Sequence, residues 1–291
     1  MKWQNRRQSS NVRSGGRGRA AGMGLGIGGI IMGLVVFALT GNPFAALNAG
    51  LSGGAIQRND VQQEEIQLSE KEKVLYKYSS VALADTEDTW TELLAKEGKR
   101  YEDATLYIFQ DAVKTGCGLG QSGMGPFYCG RDKSLYMDLA FYDTLINEFG
   151  ANEGDFILSY VISHEVGHHV QNLLGIMDQV NQVRAGASQT EANKITLRLE
   201  LQADYLAGVV ARYQSDKGYL EPGDIEDAIK AAWAIGDDTI QKRVQGHVTP
   251  ESFTHGSAEQ RSRWYQKGYE AGDLSQYNTF DTDKYPDVSD L

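Results

Sequence analysis

Cysteine is almost missing from this chain: Cys117 and Cys129 are the only two among 291 residues. Two thiols at this spacing match no common zinc-binding pattern. Acidic residues are missing from positions 1–19, which carry Lys2, Arg6, Arg7, Arg13, Arg17 and Arg19. Basic patches are missing from the rest. The formal charge is −11, of which the first 19 residues contribute +6 and the remainder −17. An acidic region without a basic face excludes nucleic acid as a partner. Internal repeats are absent. Histidine is scarce as well, with five in the chain, all between positions 164 and 255.

Charge is also absent from Ala20 to Thr40, a run rich in Gly, Ile, Leu, Val and Met. About twenty apolar residues suffice to cross a bilayer as a helix. A basic flank stays in the cytoplasm, which places the C-terminal bulk outside. The expected order is a basic cytoplasmic segment at 1–19, a transmembrane anchor at 20–40, a flexible linker at 41–63 and a folded domain at 64–291. The run is long for the apolar part of a cleaved signal peptide, although Ala45-Ala46-Leu47-Asn48-Ala49 supplies the small residues such a site uses. Gly22, Gly26, Gly29 and Gly33 offer small-xxx-small spacing through which two copies could pair, or they reflect composition alone. In an oxidising exterior, Cys117 and Cys129 are expected to form a disulfide closing a small Gly-rich loop; free thiols or soft metal ligands are the alternative.

The chemistry is written at His164-Glu165-Val166-Gly167-His168. Residues i and i+4 share a helix face, so both imidazoles can grip one metal ion. Glu165 stands beside them, placed to take a proton from a metal-bound water. Phe156-Ile157-Leu158 and Val161-Ile162 give helical apolar spacing upstream, with start signals over 152–155 and a stop at Gly175. A catalytic zinc needs a third protein ligand and an open fourth position. Glu200 is the candidate, on a helix expected over roughly 191–213. Asp204 lies one turn later, placed to accept a ligand imidazole N–H. A solvated acidic face is the alternative. Leu199, Leu201, Ala203, Leu206 and Ala207 argue against it, because buried carboxylates need a partner and a dication supplies one.

His-Glu-x-x-His followed by Glu-x-x-x-Asp on a later helix resembles the gluzincin arrangement of zinc peptidases. More closely, the chain resembles the bacterial neutral zinc metallopeptidases of the YpfJ-like family. The likeness rests on residues 163–171, on Glu200-Leu201-Gln202-Ala203-Asp204, on Gly125-Pro126-Phe127-Tyr128-Cys129 and on His255-Gly256-Ser257-Ala258-Glu259-Gln260-Arg261. One departure is Tyr205, where cysteine is common in the family; it leaves the ligand set untouched. By analogy with gluzincins, His255 would donate a hydrogen bond to the oxyanion of the tetrahedral intermediate, with packing at a helix start as the alternative. His247 lies in the same loop-rich stretch. His169 points about 100° away from His168 and is not expected to share the metal.

Helices are further expected over 64–97 with Trp90, Leu93 and Leu94 in the core, from Asp224 with Ile225, Ala228, Ile229, Ala232 and Trp233 on one face, and from Ser257 with Arg261, Trp264, Tyr265 and Tyr269. Strands are expected over 104–115 and 127–136, and an irregular end from Gly272. The expected fold is α+β, mainly helical: one zinc-peptidase-like domain with a small antiparallel sheet, behind one N-terminal transmembrane helix. The expected activity is peptide-bond hydrolysis with Zn2+ held by His164, His168 and Glu200, Glu165 as general base, His255 assisting and Asp204 orienting one imidazole. The substrate is a peptide or protein, taken as an added strand on the sheet edge or not. The competing readings are a membrane-tethered scaffold or binding protein whose zinc is structural or absent, and an enzyme for another amide or ester.

Overall fold

Arg6 and Arg7 of the N-terminal segment meet carboxylates of the main body. The structure, a computed structural model, describes residues 1–18, 63–64, 66–152, 154 and 156–291. The expected apolar span, its glycines, nearly all of the expected linker and the helix-start residues Glu153 and Asp155 lie outside the described residues. Among the described residues no helix is long and apolar enough to cross a membrane. Residues 1–18 end in β1 (Val12–Gly18), which neighbours β2 (Gln63–Glu64). They pack on α1 (Glu70–Lys96), which opens with a capping box between Ser69 and Glu72 and buries Tyr78, Leu83, Trp90 and Leu94.

Asp85 and Glu87 of α1 are buried, and a buried carboxylate is stable only when paired. Arg6 pairs with Asp85, Arg7 reaches Glu87 at 2.7 Å and Asp88 at 2.8 Å, and the Asn11 side chain donates to Glu87 at 2.9 Å. Residues 1–18 thus meet α1 through residues of opposite charge. Gly18 pairs directly with Gln63, so the chain leaves and re-enters the sheet at one place.

The sheet continues with β3 (Thr105–Gln110), and after a break come β4 (Ala112–Thr115), β5 (Gly118–Gln121), β6 (Phe127–Cys129) and β7 (Ser134–Met137). Five strands run in the order β2-β1-β3-β7-β6, and β4 and β5 form a separate antiparallel pair. The expected single strand over 104–115 is cut at Asp111, whose φ of 64° turns the chain. The expected strand over 127–136 is a hairpin. The five-stranded sheet is mixed where a purely antiparallel one was expected: β1 and β7 both lie parallel to β3. Parallel neighbours need a crossover, and α1 supplies it between β1 and β3.

Seven further helices follow: α2 (Phe141–Asn147), α3 (Phe156–Leu173), α4 (Ile176–Ala185), α5 (Gln189–Asp216), α6 (Asp224–Ala234), α7 (Asp237–Gln245) and α8 (Ala258–Ala271). Every residue of α3 from Phe156 to Gln171 is buried, since α1, α5 and α6 all pack against it. Helices α5 and α8 touch backbone to backbone. A Cβ on Gly208 would sit 2.0 Å from the Tyr265 carbonyl oxygen, and one on Gly268 would sit 1.9 Å from that of Tyr205. This approach seats the N-terminal turn of α8 beside Asp204. On α6, Ala228 and Ala232 face the core as expected, but Trp233 is 52% exposed. From Gly272 the chain runs as an irregular strap over α5. The molecule is thus mainly helical with a small sheet.

Candidate metal centre

Helices α3 and α5 face each other through His164, His168 and Glu200. The Gly167 side of α3 lies so near α5 that a Cβ there would meet the Ala203 oxygen at 3.0 Å. Nε2 of His164 lies 3.2 Å from Glu200 Oε2, and Nε2 of His168 lies 3.4 Å from Glu200 Oε1. Candidate ligand atoms of all three residues fall within 4.8 Å of one another, and all three are buried. Zinc–nitrogen and zinc–oxygen bonds of about 2.0–2.2 Å place neighbouring ligand atoms about 3.3–3.6 Å apart in a tetrahedron. The two separations, one to each oxygen of Glu200, lie close to that spacing, and two imidazoles with one carboxylate would leave a fourth position for water.

Each imidazole is held from behind by a different chemistry. Nδ1 of His164 donates to Asp204 Oδ1 at 2.8 Å. Asp204 is fully buried, and its carboxylate also receives Arg261 Nε at 2.9 Å, Arg261 Nη2 at 3.1 Å and Tyr160 OH at 2.8 Å. Burial acts against the charge on Asp204, yet Arg261 and His164 outweigh it and hold the carboxyl at about 2. Nδ1 of His168 meets Gln171 Oε1 at 2.8 Å, one turn along the same helix. The polar atoms that face the cluster therefore stabilise positive charge. Burial disfavours a proton on His164, but Asp204 and Glu200 outweigh it and raise its pKa to about 10. Burial likewise disfavours a charged Glu200, and His168 and His255 bring its carboxyl well below the usual range. A dication satisfies the same field.

Glu165 lies beside the cluster, almost completely buried. Burial raises its pKa, while His164 and His168 pull it back. A carboxylate of raised basicity next to a metal site suits proton transfer near neutral pH. His255 stands in the loop before α8. One oxygen of Asp237 accepts the backbone N–H groups of Thr254, His255 and Gly256 at 2.7, 2.7 and 3.1 Å, and the other lies 3.4 Å from His255 Nδ1. His255 lowers the pKa of both Glu165 and Glu200, so the loop borders the cluster. His247 is exposed and contacts the Gln245 carbonyl. His169 turns away, as its position on the helix requires. Its Nε2 donates to the Glu102 carbonyl at 2.6 Å and its Nδ1 accepts from Tyr128 OH at 2.9 Å, tying α3 to β6.

Cys117 and Cys129 form a disulfide with Cα atoms 5.8 Å apart. Sequence reasoning missed Tyr160, Gln171, Gln202 and Asp237. Gln171 had a signal, because i+3 from a ligand histidine is a contact position. Asp237 had none, since its helix was unexpected.

The chain matches the family described as "Putative neutral zinc metallopeptidase" over residues 1–280. An Escherichia coli protein named Uncharacterized protein YpfJ is 45% identical over 288 residues, covering 96% of this chain and 99% of that protein. Uncharacterized proteins of Mycobacterium tuberculosis and Mycobacterium bovis are 45% identical over 190 residues, 62% of this chain and 63% of theirs. No solved structure matches the chain. The match takes in β1 at one end and the Arg261 turn at the other, and this chain belongs to the neutral zinc metallopeptidase family.

Proposed function

We propose that this protein is a zinc-dependent peptidase whose reaction centre is His164, His168, Glu200 and Glu165. The observation that carries the reading is a buried triangle of two imidazoles and one carboxylate with a second, basic carboxylate beside it. Zinc bound there would lower the pKa of a water ligand towards about 7 and polarise a carbonyl oxygen. Glu165 takes the proton of the attacking water and passes it to the leaving amine. Asp204, fixed by Arg261 and Tyr160, keeps Nδ1 of His164 protonated, so that Nε2 faces the metal. His255, held by Asp237, supplies a donor for the oxyanion. The edge strand β6 adjoins the motif helix through Tyr128–His169 and Asn172–Gly130 contacts, which suits an extended peptide added as a strand.

The test pairs metal content with turnover. Wild type is expected to hold about one zinc per chain and to cleave peptides, and Glu200→Ala to lose the metal. Glu165→Gln is expected to keep zinc and lose hydrolysis; full activity in that variant would refute the base assignment. Zinc retained in an active-site variant, with no cleavage of peptides, cell-wall fragments or esters by wild type, would favour the scaffold reading.

The proposed working site is the oxidising side of the cytoplasmic membrane, with residues 20–40 as the membrane contact. The disulfide supports that compartment. The pairing of β1 with β3 and of Gly18 with Gln63 supports a refinement: residues 1–18 share the compartment of the domain, and a single crossing that would part them is dropped from the reading. With single cysteines at Ser10 and Lys73, an impermeant maleimide should label both in intact spheroplasts. Labelling of Lys73→Cys alone would restore the single crossing.

A further inference from the structure

We propose that Gln171 and Gln202 are positioning residues that read the C-terminal strap, residues 273–291, into the orientation and tautomer of His168. The inference rests on His168 being a zinc ligand, as proposed above. Nδ1 of His168 lies 2.8 Å from Gln171 Oε1. The Gln171 amide nitrogen donates to the Leu199 carbonyl at 2.7 Å and to Gln202 Oε1 at 3.0 Å. The Gln202 amide nitrogen donates to the Tyr277 carbonyl of the strap at 3.3 Å. Both glutamines are fully buried, at 0% and 1% exposure.

The polarity of this relay follows from its fixed ends. A backbone carbonyl only accepts. Tyr277 O therefore demands the NH2 of Gln202, which turns Gln202 Oε1 towards Gln171. Leu199 O and Gln202 Oε1 both demand the NH2 of Gln171, which turns Gln171 Oε1 towards His168. Rotating either amide by 180° would set oxygen against oxygen at two contacts or one, inside a dry interior. The last acceptor then requires a proton on Nδ1 of His168 and leaves the lone pair on Nε2, the atom 3.4 Å from Glu200 Oε1. His164 receives the same instruction from a charged carboxylate, and His168 from a neutral chain of amides.

The strap does not depend on Gln202 for its attachment. Arg198 holds the Thr279 and Tyr285 carbonyls, Tyr205 OH donates to the Asp273 carbonyl at 3.0 Å, and Trp264 Nε1 donates to the Leu291 carbonyl at 2.8 Å. Cutting the relay and loosening the strap can thus be separated.

The experiment uses the full chain, with zinc affinity measured by chelator competition, the Co2+-substituted absorption spectrum, and the melting temperature of metal-free protein. Gln171→Met and Gln202→Met are expected to bind zinc about 10- to 100-fold more weakly and to alter the Co2+ bands. Tyr205→Phe, which cuts a strap contact outside the relay, is expected to melt lower with unchanged zinc affinity and Co2+ spectrum. Long-range 1H–15N spectra of zinc-loaded wild type should show His168 protonated at Nδ1, a reading that needs no variant. Wild-type protein that binds zinc while both Met variants match its affinity and spectrum, or a His168 proton on Nε2, overturns the relay alone. Wild type that takes up no zinc overturns the relay and the metal site together.

Discussion

Replacing Arg261 by Met tests whether the Asp204 carboxylate is a charge held in place or a group that could do without its partner. Arg261 gives Asp204 two hydrogen bonds, at 2.9 and 3.1 Å, and its other contacts go to Tyr160 OH at 3.1 Å and the Ile235 carbonyl at 3.3 Å. Asp204 has no exposed surface. Removing the cation leaves a buried carboxylate facing only Tyr160 and His164, and breaking a buried pair from one side costs about 3–5 kcal/mol. At about 2–4 °C per kcal/mol for a domain of this size, metal-free protein should melt about 6–20 °C lower. Asp204→Asn in the same background removes the stranded charge and should recover part of the loss. The assay is differential scanning fluorimetry of wild type, both single variants and the double variant, closing a mutant cycle. A drop under about 2 °C in Arg261→Met, or a double variant no more stable than that single, would refute the account.

Four further outcomes are expected. His169 is buried and its pKa is lowered by that burial, so its neutral form stabilises the fold above the unfolded value of about 6.5 and the contribution is lost as pH falls below it; the melting temperature of zinc-loaded protein should fall between pH 7.5 and 5.5, and less steeply in His169→Gln. Reducing Cys117–Cys129, which are 12 positions apart, should cost about 3 kcal/mol, read as a lower melting temperature in dithiothreitol that Cys117→Ser/Cys129→Ser reproduces without reductant. Gly167→Ala should weaken zinc binding more than it lowers the melting temperature, because the added methyl presses on Ala203 of the facing helix; unchanged zinc affinity would show that the helix spacing is not critical. His255→Ala should keep its zinc and lose about 10²–10³ in turnover, and an active variant would reduce the Asp237 contacts to loop structure.

What the sequence disclosed depended on the range of the interaction. His164 and His168 lie about one helical turn apart, so periodicity alone placed both imidazoles on one face of α3, with Glu165 beside them. Glu200 and Asp204 were legible for the same reason, and the structure brings Glu200 within 3.2 and 3.4 Å of the two imidazoles. The α1, α5, α6 and α8 helices carried apolar spacing, and α8 a start signal at Ser257, which caps it; the caps Ser69 and Ser188 were not read. The contacts of Arg6 and Arg7 with Asp85 and Glu87 were not legible in sequence, because some 80 positions separate the partners. Sheet direction was misread because strand spacing says nothing about which neighbour a strand will find. Trp233 was placed by helical phase on one face with Ala228 and Ala232, yet it is largely exposed while they are buried.

The asymmetry of the two imidazoles is a consequence of how α5 crosses α3. Glu200 and Asp204 are four apart and share one face, so α5 delivers the third ligand and the His164 anchor together. Gln202 falls between them, about 200° around the helix from Glu200, and there it touches Gln171 and the strap. A second carboxylate acting on His168 from α5 would have to come from that other face, which the fold has filled with the irregular C-terminal residues and their backbone carbonyls. Carbonyls accept hydrogen bonds and carry no net charge, and two amides, each with a donor and an acceptor, connect them to His168. The site thereby keeps one negative charge behind its ligands instead of two, and Arg261 is sufficient to balance it.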